Sequence, residues 1–191
     1  METQQDLIGL LSTYQHKYPN EALSLEAITN FVRSFEGEDL FARTNFVGHL
    51  TASAFIYHPI KKALLFIKHT ALNRWLQPGG HIEMDDESLL AAALREAEEE
   101  TGIAASDFQL ISQVFDVDSH AIPENVKKNE PEHFHHDMRY LFIYDRPEQD
   151  ILVQKDVSGC EWIQLKQLKE DSNWSRVIAK IEAIAVSDFE S

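Results

Sequence analysis

The stretch GGHIEMDDESLLAAALREAEEETGI, residues 79–103, decides the fold and raises an electrostatic question. It begins with two glycines and ends in a segment that carries four glutamates beside a single arginine, Arg95. Like charges three or four residues apart on a helix repel each other by about 0.2–0.5 kcal/mol per pair. A solvated helix face usually interleaves lysines to offset this repulsion, and this segment does not. The pattern indicates that the missing positive charge comes from outside the chain.

The second half of this stretch has the pattern of a helix that packs on a sheet. Asp85 or Asp86 is expected to cap its N-terminus, where negative charge is favoured. Gly102 follows the last helical turn and is the expected stop. The apolar-to-neutral stripe that would face the sheet consists of Leu90, Ala93, Leu94, Ala97 and Thr101.

Three carboxylates lie on one side of this predicted helix. At about 100° per residue, Glu96, Glu99 and Glu100 fall within a sector about 100° wide beside the stripe, whereas Glu98 points to solvent. Oxygen-rich clusters suit hard divalent cations such as Mg²⁺ or Mn²⁺. The preceding Pro78-Gly79-Gly80 can bring bare backbone close to a ligand. The alternative interpretation is an ordinary solvated acidic helix.

The rest of the chain predicts an α+β sandwich with helices added at the N-terminus. Residues 1–44 show apolar residues at helical spacing, and strand-like segments begin at Leu50. A polar loop with two prolines is expected over residues 119–136. The predicted strands are LTASAFIYH, KKALLFIKH, FQLISQVFDVDSH, MRYLFIYD and GCEWIQL, and NWSRVIAKIEAIAV is predicted as a closing helix.

Composition limits the function classes. With 32 acidic and 17 basic residues, the formal net charge of −15 argues against binding to a nucleic-acid backbone or an anionic membrane. The single cysteine, Cys160, cannot form an intramolecular disulfide, which favours a reducing cytoplasm. No apolar run approaches the roughly 20 residues that span a bilayer. A small phosphorylated substrate stays compatible with this charge if cations are recruited locally.

The stretch 79–103 resembles the signature of the Nudix hydrolases. That signature is a glycine, five residues, a glutamate, seven residues, and then R-E-U-x-E-E-x-G-U, where U is bulky and apolar. Arg95 to Ile103 fill the second half at every fixed letter, with Ala97 small for its position. Glu87 lies seven residues before Arg95 as required, but six residues separate it from Gly80 where the pattern has five.

This resemblance implies a fold and a division of the chain. The expected fold is a Nudix-type α/β/α sandwich with a mixed sheet. Residues 1–44 would form an N-terminal helical extension, and residues 45–191 the Nudix domain with a C-terminal helix. The extension has apolar stripes that must be covered, either on a sheet edge or in a homodimer contact.

The resemblance also implies an activity, the metal-dependent hydrolysis of a phosphoanhydride bond in a nucleoside diphosphate derivative. Mg²⁺ is the expected cofactor, and Mn²⁺ its substitute. Arg95 would orient the carboxylates, and Glu87 would pair with Arg95 or act as an outer ligand. The catalytic set is thus Glu96, Glu99, Arg95 and Glu87, and the metal set is Glu96, Glu99, Glu100 and the carbonyl of Gly80.

The general base and the substrate stay open at this stage. Glu96 is the candidate within the signature, and Glu130 and Glu132 are candidates from the 119–136 loop. The alternative to an enzyme is a Nudix-fold sensor that binds a nucleotide without hydrolysing it. The expected partner in both cases is a small nucleotide-type molecule.

Basic and histidine side chains supply candidate substrate contacts. Local cations in so acidic a chain could receive terminal phosphates, although surface solubility explains them nearly as well. The candidates are Arg74, Lys68, His81 and Lys127.

A second group of histidines occupies the segment EPEHFHHDMRY, residues 130–140. A zinc site there is conceivable, but no cysteine supports it, and neighbours His135 and His136 would point to opposite faces of a strand. Ordinary surface histidines are the simpler interpretation, and a cleft lining that contacts a base or phosphate is the third.

Overall fold

In the computed structural model, helices lie on both faces of one seven-stranded mixed sheet; the structure describes residues 1–70, 72–146 and 157–188. The strands are β1 (Gly48–His58), β2 (Ala63–His69), β3 (Arg74–Leu76), β4 (Gly79–His81), β5 (Gln109–Ile122), β6 (His133–Ile143) and β7 (Val157–Gln164). The α-helices are α1 (Gln4–Lys17), α2 (Glu26–Ser34), α3 (Leu89–Thr101), α4 (Leu165–Leu168) and α5 (Ser175–Asp188). The predicted α+β class, with a mixed sheet and N-terminal helices, is confirmed.

Strand β1 is the centre of the sheet. It pairs in parallel with β6 along almost its whole length, and β6 pairs antiparallel with β5. The other side of β1 is shared: its end at Tyr57 and His58 pairs with β2, and its start at Thr51 to Ser53 pairs with β4. The short strand β4 therefore lies directly beside the beginning of β1, and this places residues 79–81 inside the sheet.

The two faces of the sheet build two separate cores, because side chains alternate along each strand. One face packs on α3 and the N-terminal helices, and the other packs on α5. On the α5 face the apolar residues of β1 and β6 end at Phe55 and Leu141. Farther along the same face both strands turn polar, with Ser53, Thr51 and His49 on β1 and Arg139, Asp137, His135 and His133 on β6.

The N-terminal helices pack on the domain and beside its edge strand β5. Leu7 and Leu11 of α1 and Ile28 and Val32 of α2 belong to the same core as β1 and α3. Tyr14 reaches Asp116 of β5 with its hydroxyl at 3.4 Å. The apolar stripes of this extension are therefore covered by the chain itself, which is the first of the two expected arrangements. The homodimer contact and the boundary at residue 44 stay predictions.

The ends of helix α3 only partly match the expectation. Gly102 ends it in the left-handed conformation with φ 70°, as predicted. Its N-cap, however, is Ser88, whose hydroxyl accepts from the Ala91 amide at 3.1 Å. Asp86 is not the cap because its carboxylate binds Arg95 instead.

The connection between β5 and β6 is shorter than the predicted 119–136 loop. Strand β5 extends to Ile122 and β6 begins at His133, so only residues 123–132 connect them. The strands continue through polar residues, which the sequence analysis predicts to be part of the loop. Among the described residues, no helix is long and apolar enough to cross a membrane.

Candidate functional site

The site is built where strand β4 passes the side of helix α3. A Cβ added to Gly80 would lie 2.6 Å from Oε1 of Glu96, so any larger residue would displace this carboxylate from its present position. The Gly79 amide donates to Oε2 of Glu100 at 2.9 Å. Gly79 has φ +154°, and a Cβ there would meet the Ser53 Cα at 2.6 Å. The glycine pair is thus required by two close approaches, one to α3 and one to β1.

Arg95 organises the carboxylates around it. Its Nε and one terminal nitrogen donate to both oxygens of Asp86 at 2.9 Å, which is the bidentate geometry of a strong pair. Its other terminal nitrogen donates to Glu96 at 3.0 Å and to Glu99 at 3.4 Å. Arg95 also donates to the His81 carbonyl at 3.0 Å, so one guanidinium links helix α3 to strand β4.

Asp86, and not the predicted Glu87, is the partner of Arg95. The Asp86 carboxylate is almost completely buried and also accepts from the Glu83 amide at 2.8 Å, whereas Glu87 is exposed. Burial raises the pKa of Asp86, but the hydrogen bonds from Arg95 and the Glu83 amide, together with the charge of Arg95, hold that pKa below its usual value. Counted from Gly80, Asp86 has the five-residue spacing of the signature. The additional residue therefore lies between the acid and the helix, where Ser88 forms the cap.

The three glutamates of the predicted metal set have different surroundings. The side chain of Glu96 is 16% exposed, whereas that of Glu99 is 57% exposed. Burial raises the pKa of Glu96, and Arg95 opposes this rise. Glu96 and Glu99 share Arg95, and Glu100 binds the Gly79 amide. Glu96 and Glu100 line one side of β4. Within the described part of the chain, the three glutamates do not form one compact group with mutually close oxygens.

Histidines on the opposite face of β4 form the compact group that the glutamates do not. His49, His81 and His135 have ring nitrogens that all lie within 4.8 Å of one another. Burial, with nearby cations and histidines, lowers the pKa of His81 to about 3. Burial and the neighbouring histidines lower that of His135 to about 2, so both rings are neutral at physiological pH. His133 is buried and His135 half-buried, so the surface interpretation of these histidines is wrong.

The prediction that His135 and His136 point to opposite faces agrees with the structure. The His136 ring stacks on Phe31 of α2 with centroids 4.6 Å apart, whereas His135 lies beside His49 on the other face. The substrate-contact candidate His81 therefore belongs to a histidine group whose members come from distant parts of the chain.

A buried charge network lies next to these histidines, and the sequence reading missed it. Asp137 accepts from the Ser53 hydroxyl at 2.6 and 2.7 Å and from the Thr51 hydroxyl at 3.1 Å. Arg139 binds Asp137 at 2.9 Å, Asp118 at 2.9 Å and Asp116 at 3.2 Å. Polar residues at alternating positions of β1 and β6 were the available signal, but pairing them requires the strand register.

The other basic candidates lie on separate elements. Lys68 and Arg74 belong to the antiparallel pair of β2 and β3, where His69 faces Arg74 and Lys68 faces Trp75. Lys127 lies in the exposed turn that the Asn125–Glu130 bridge closes. Glu130 and Glu132 belong to the same connection, away from helix α3 in the chain.

Comparisons with known proteins agree with this architecture. Residues 48–181 match the family model of the NUDIX domain. Over 102 residues, 53% of this chain, the sequence is 39% identical to a probable DHNTP pyrophosphohydrolase of Lactococcus lactis subsp. cremoris, of which it spans 58%. This chain therefore spans little more than half the length of that relative.

Two solved structures show the same fold. A C. elegans Ap4A hydrolase has a TM-score of 0.56 and 16% identity, covering 72% of this chain and 98% of that one. The E. coli dihydroneopterin triphosphate pyrophosphohydrolase has a TM-score of 0.54 and 18% identity, covering 72% and 95%. With the signature on α3 and the family match over most of the chain, this protein belongs to the NUDIX family.

Proposed function

We propose that this protein is a metal-dependent Nudix pyrophosphohydrolase that cleaves a phosphoanhydride bond of a small phosphorylated substrate. The observation that carries the proposal is the contact of α3 with the Gly79–Gly80 backbone, where Glu96 lies against Gly80 and Glu100 accepts from the Gly79 amide. Glu99 is joined to Glu96 through Arg95. Glu96 and Glu99 share a single arginine, Arg95, so together they keep the capacity to bind a cation. The compartment we propose is the cytoplasm, because the single cysteine suits reducing conditions.

The residues present fit a hard divalent cation. The close approach of Gly80 to Glu96 forms a cradle that any Cβ would fill, and the donors offered there are carboxylate and carbonyl oxygens. Glu96, Glu99, Glu100 and the carbonyl of Gly80 would hold Mg²⁺ or Mn²⁺. Such an ion, when bound, polarises a phosphoryl oxygen and lowers the pKa of water.

The chain's own residues position this chemistry and move the proton. Arg95 fixes Glu96 and Glu99 through one nitrogen while Asp86 fixes Arg95, so the carboxylates are oriented before substrate binds. Glu96 is our choice for the general base, because Arg95 holds its carboxylate against the Gly80 backbone, inside the proposed metal site. Glu130 and Glu132, in the connection between β5 and β6, stay the alternatives.

The substrate we propose is a triphosphate carried by a small heterocyclic compound, with dihydroneopterin triphosphate first in the assay. This rests on the name of the Lactococcus relative, which is 39% identical over the matched region. The net charge of −15 argues against a long RNA substrate, because neutralising phosphates requires clustered cations. The proposed substrate needs only local cations, for which Arg74, Lys68, Lys127 and His81 stay the proposed contacts.

The test is a hydrolysis assay with Mg²⁺, with Mn²⁺ and with EDTA. The panel contains dihydroneopterin triphosphate, nucleoside triphosphates, nucleotide sugars, ADP-ribose, dinucleoside polyphosphates and capped RNA, with products resolved by chromatography. Glu99→Gln and Glu100→Gln should each reduce kcat/KM by about 100-fold or more, because each removes a charged ligand. Glu98→Gln is the matched control on the same helix, since Glu98 is exposed and bonds the Ala105 amide.

Metal-dependent cleavage of one substrate class that Glu99→Gln and Glu100→Gln abolish would support the proposal. Unchanged turnover in both variants would overturn the ligand assignment. Tight nucleotide binding with no turnover in Mg²⁺ or Mn²⁺ would instead favour the sensor function.

A further inference from the structure

A second potential metal site lies beside the glutamates, and it has different chemistry. The histidine cluster consists of His49 on β1, His81 on β4 and His135 on β6, with ring nitrogens within 4.8 Å of one another. We propose that this cluster binds one divalent transition-metal ion, with Zn²⁺ as the best match to its ligands. In the part of the chain that the structure describes, it is the one group of three or more such side chains at this spacing.

The strand register explains why the three residues meet. His49 is the direct neighbour of His135 in the parallel pair of β1 and β6. His81 pairs with Thr51 in the antiparallel pair of β4 and β1, two positions from His49 on the same face. Each ligand is therefore fixed by strand pairing inside the sheet, which is the rigid support that a preorganised metal site requires.

The unsatisfied nitrogen of His49 is an independent sign of a ligand. His49 is 1% exposed, and its Nε2 is buried with no hydrogen-bond partner among the described residues. Its Nδ1 lies 3.5 Å from the carbonyl oxygen of Asn45, which can only accept, so the lone pair belongs to Nε2. An unpaired buried polar atom destabilises the folded state, because it loses its hydrogen bonds to water. A metal ion bound to Nε2 would remove this cost.

The hydrogen bonds of His135 also leave one nitrogen available. Nδ1 of His133 donates to the Pro131 carbonyl at 2.8 Å, so Nε2 of a neutral His133 must accept. Nε2 of His135 lies 3.3 Å away and donates to it, which leaves the lone pair on Nδ1 of His135. Histidine ligands of metals usually donate their second ring N–H to such an acceptor, which orients the ring.

The ligand set separates this site from the glutamate site. Mg²⁺ prefers oxygen ligands, whereas three imidazoles suit Zn²⁺ or Co²⁺ and leave a fourth position open. A bound ion would tie β4 to β1 and β6. Because the His81 carbonyl accepts from Arg95, the ion would also fix the strand that carries Gly80. The site does not depend on hydrolysis, and it can be tested whether or not the proposed activity is found.

The experiment measures metal binding directly on the full, tag-free chain after treatment with EDTA. Zn²⁺ is titrated by calorimetry and Co²⁺ by visible absorption, both in excess Mg²⁺ so that the carboxylates are occupied. We expect one ion per chain and tetrahedral Co²⁺ bands. His49→Gln and His135→Gln should each weaken binding by at least tenfold, since second-sphere changes alone cost 10- to 100-fold.

Two controls keep the proposal falsifiable. His136→Gln tests the same strand on its opposite face, and His16→Gln tests an exposed histidine of α1, and both should bind as the wild type does. Histidine ring NMR signals of the wild type should shift with Zn²⁺ only in and around the cluster, a readout that requires no variant. Absence of Zn²⁺ and Co²⁺ binding, equal affinity in both cluster variants, or shifts confined to other histidines would overturn the site.

Discussion

Two acidic groups of this molecule differ in how their charge is balanced. The sheet network contains Asp116, Asp118 and Asp137, and the cations Arg139, Arg176 and Lys180 contact it. The α3 group contains Asp86, Glu96 and Glu99, which share Arg95, together with Glu100 on the Gly79 amide. Together with Glu21, which also contacts Arg176 and Lys180, the first group has three cations for four carboxylates. In the second group Asp86, Glu96 and Glu99 share one cation.

The difference follows from burial. Asp116 is 0% exposed and accepts from Lys180 at 2.8 Å, from Arg176 at 2.9 Å and from Arg139 at 3.2 Å. A charge in such a place must be paired, because its desolvation otherwise exceeds what folding can supply. Glu99 is 57% exposed, so water screens its charge and a deficit of cations is tolerated. Balanced charge in the sheet supports the fold, and unbalanced charge on α3 can bind a cation.

The greatest loss of stability should come from a change in the sheet network. Asp116→Ala leaves Lys180, Arg139 and Arg176 without their shared buried carboxylate, so the free energy of unfolding should fall by about 3–5 kcal/mol. Urea denaturation followed by circular dichroism measures this loss. The control is Glu182→Ala, which removes an ion pair with Lys169 whose side chains are both about half exposed, and it should cost less than about 1 kcal/mol. Similar losses of unfolding free energy in the two variants would show that burial does not determine how much a paired carboxylate contributes to stability.

The next prediction tests whether Asp86 is the acid that positions Arg95. Asp86→Asn keeps the shape but removes the charge from a bidentate pair, so Arg95 should be drawn toward Glu96 and Glu99. We expect a loss of about 10-fold or more in kcat/KM and a lower melting temperature, measured by steady-state assays and thermal denaturation. Glu87→Gln changes an exposed side chain and should have the smaller effect. A larger loss in Glu87→Gln than in Asp86→Asn would show that Glu87, and not Asp86, is the acid that positions Arg95.

These two cases also show what the sequence can predict. Helix α3 and strands β1 and β2 were predicted because their apolar periods lie within single stretches of chain, and tertiary packing follows the same faces. The pairing of Arg95 with Asp86 was not predicted, because the path of residues 81–88 in space determines which acid reaches Arg95. The seven-residue spacing of the signature, counted back from Arg95, gives Glu87 as the acid, whereas the five-residue spacing counted from Gly80 gives Asp86.

The histidine cluster shows a second limit of the sequence. The sequence grouped His133, His135 and His136 because they are adjacent in the chain, and strand alternation then argued against a common site. The neighbours of His135 include His133 from the same segment, but also His49 and His81, which lie 86 and 54 positions away. Only the register of β1 with β6 and of β1 with β4 brings these rings together. Contacts that require the register of three strands have no signal in one sequence.

The two glycines of β4 should differ in effect: substitution of Gly80 should lower activity, and substitution of Gly79 should lower stability. Gly80→Ala puts a Cβ against the Glu96 carboxylate, the movable end of a side chain, so stability should change little while kcat/KM falls by about 10- to 100-fold. Gly79→Ala meets the Ser53 backbone at a φ of +154°, so it should destabilise by about 1–3 kcal/mol. Thermal denaturation and kinetics of both variants check this. Gly9→Ala, with open space around its Cβ position, is the control, and equal unfolding in all three would contradict the distinction.

The smallest effect is on pH dependence, where the two acidic groups should have opposite signs. Burial raises the pKa of Asp118, but the hydrogen bond from His120 and the charge of Arg139 outweigh this and lower it from 3.8 to about 2. Its contribution to stability is therefore present above pH 3.8 and is lost as the pH falls toward 2. Burial raises the pKa of Glu96, so the folded state binds its proton more tightly, and stability falls as the pH rises through that pKa.

Unfolding free energies measured in EDTA between pH 2 and pH 7 test both signs. The difference between wild type and Asp118→Asn should grow as the pH rises from about 2 to about 4, whereas wild type should lose stability relative to Glu96→Gln as the pH rises above the usual glutamate range. Slopes of the same sign for the two variants would show that Glu96 is already balanced by Arg95. The capacity to bind a cation would then rest mainly on Glu99, the most exposed of the carboxylates that share Arg95.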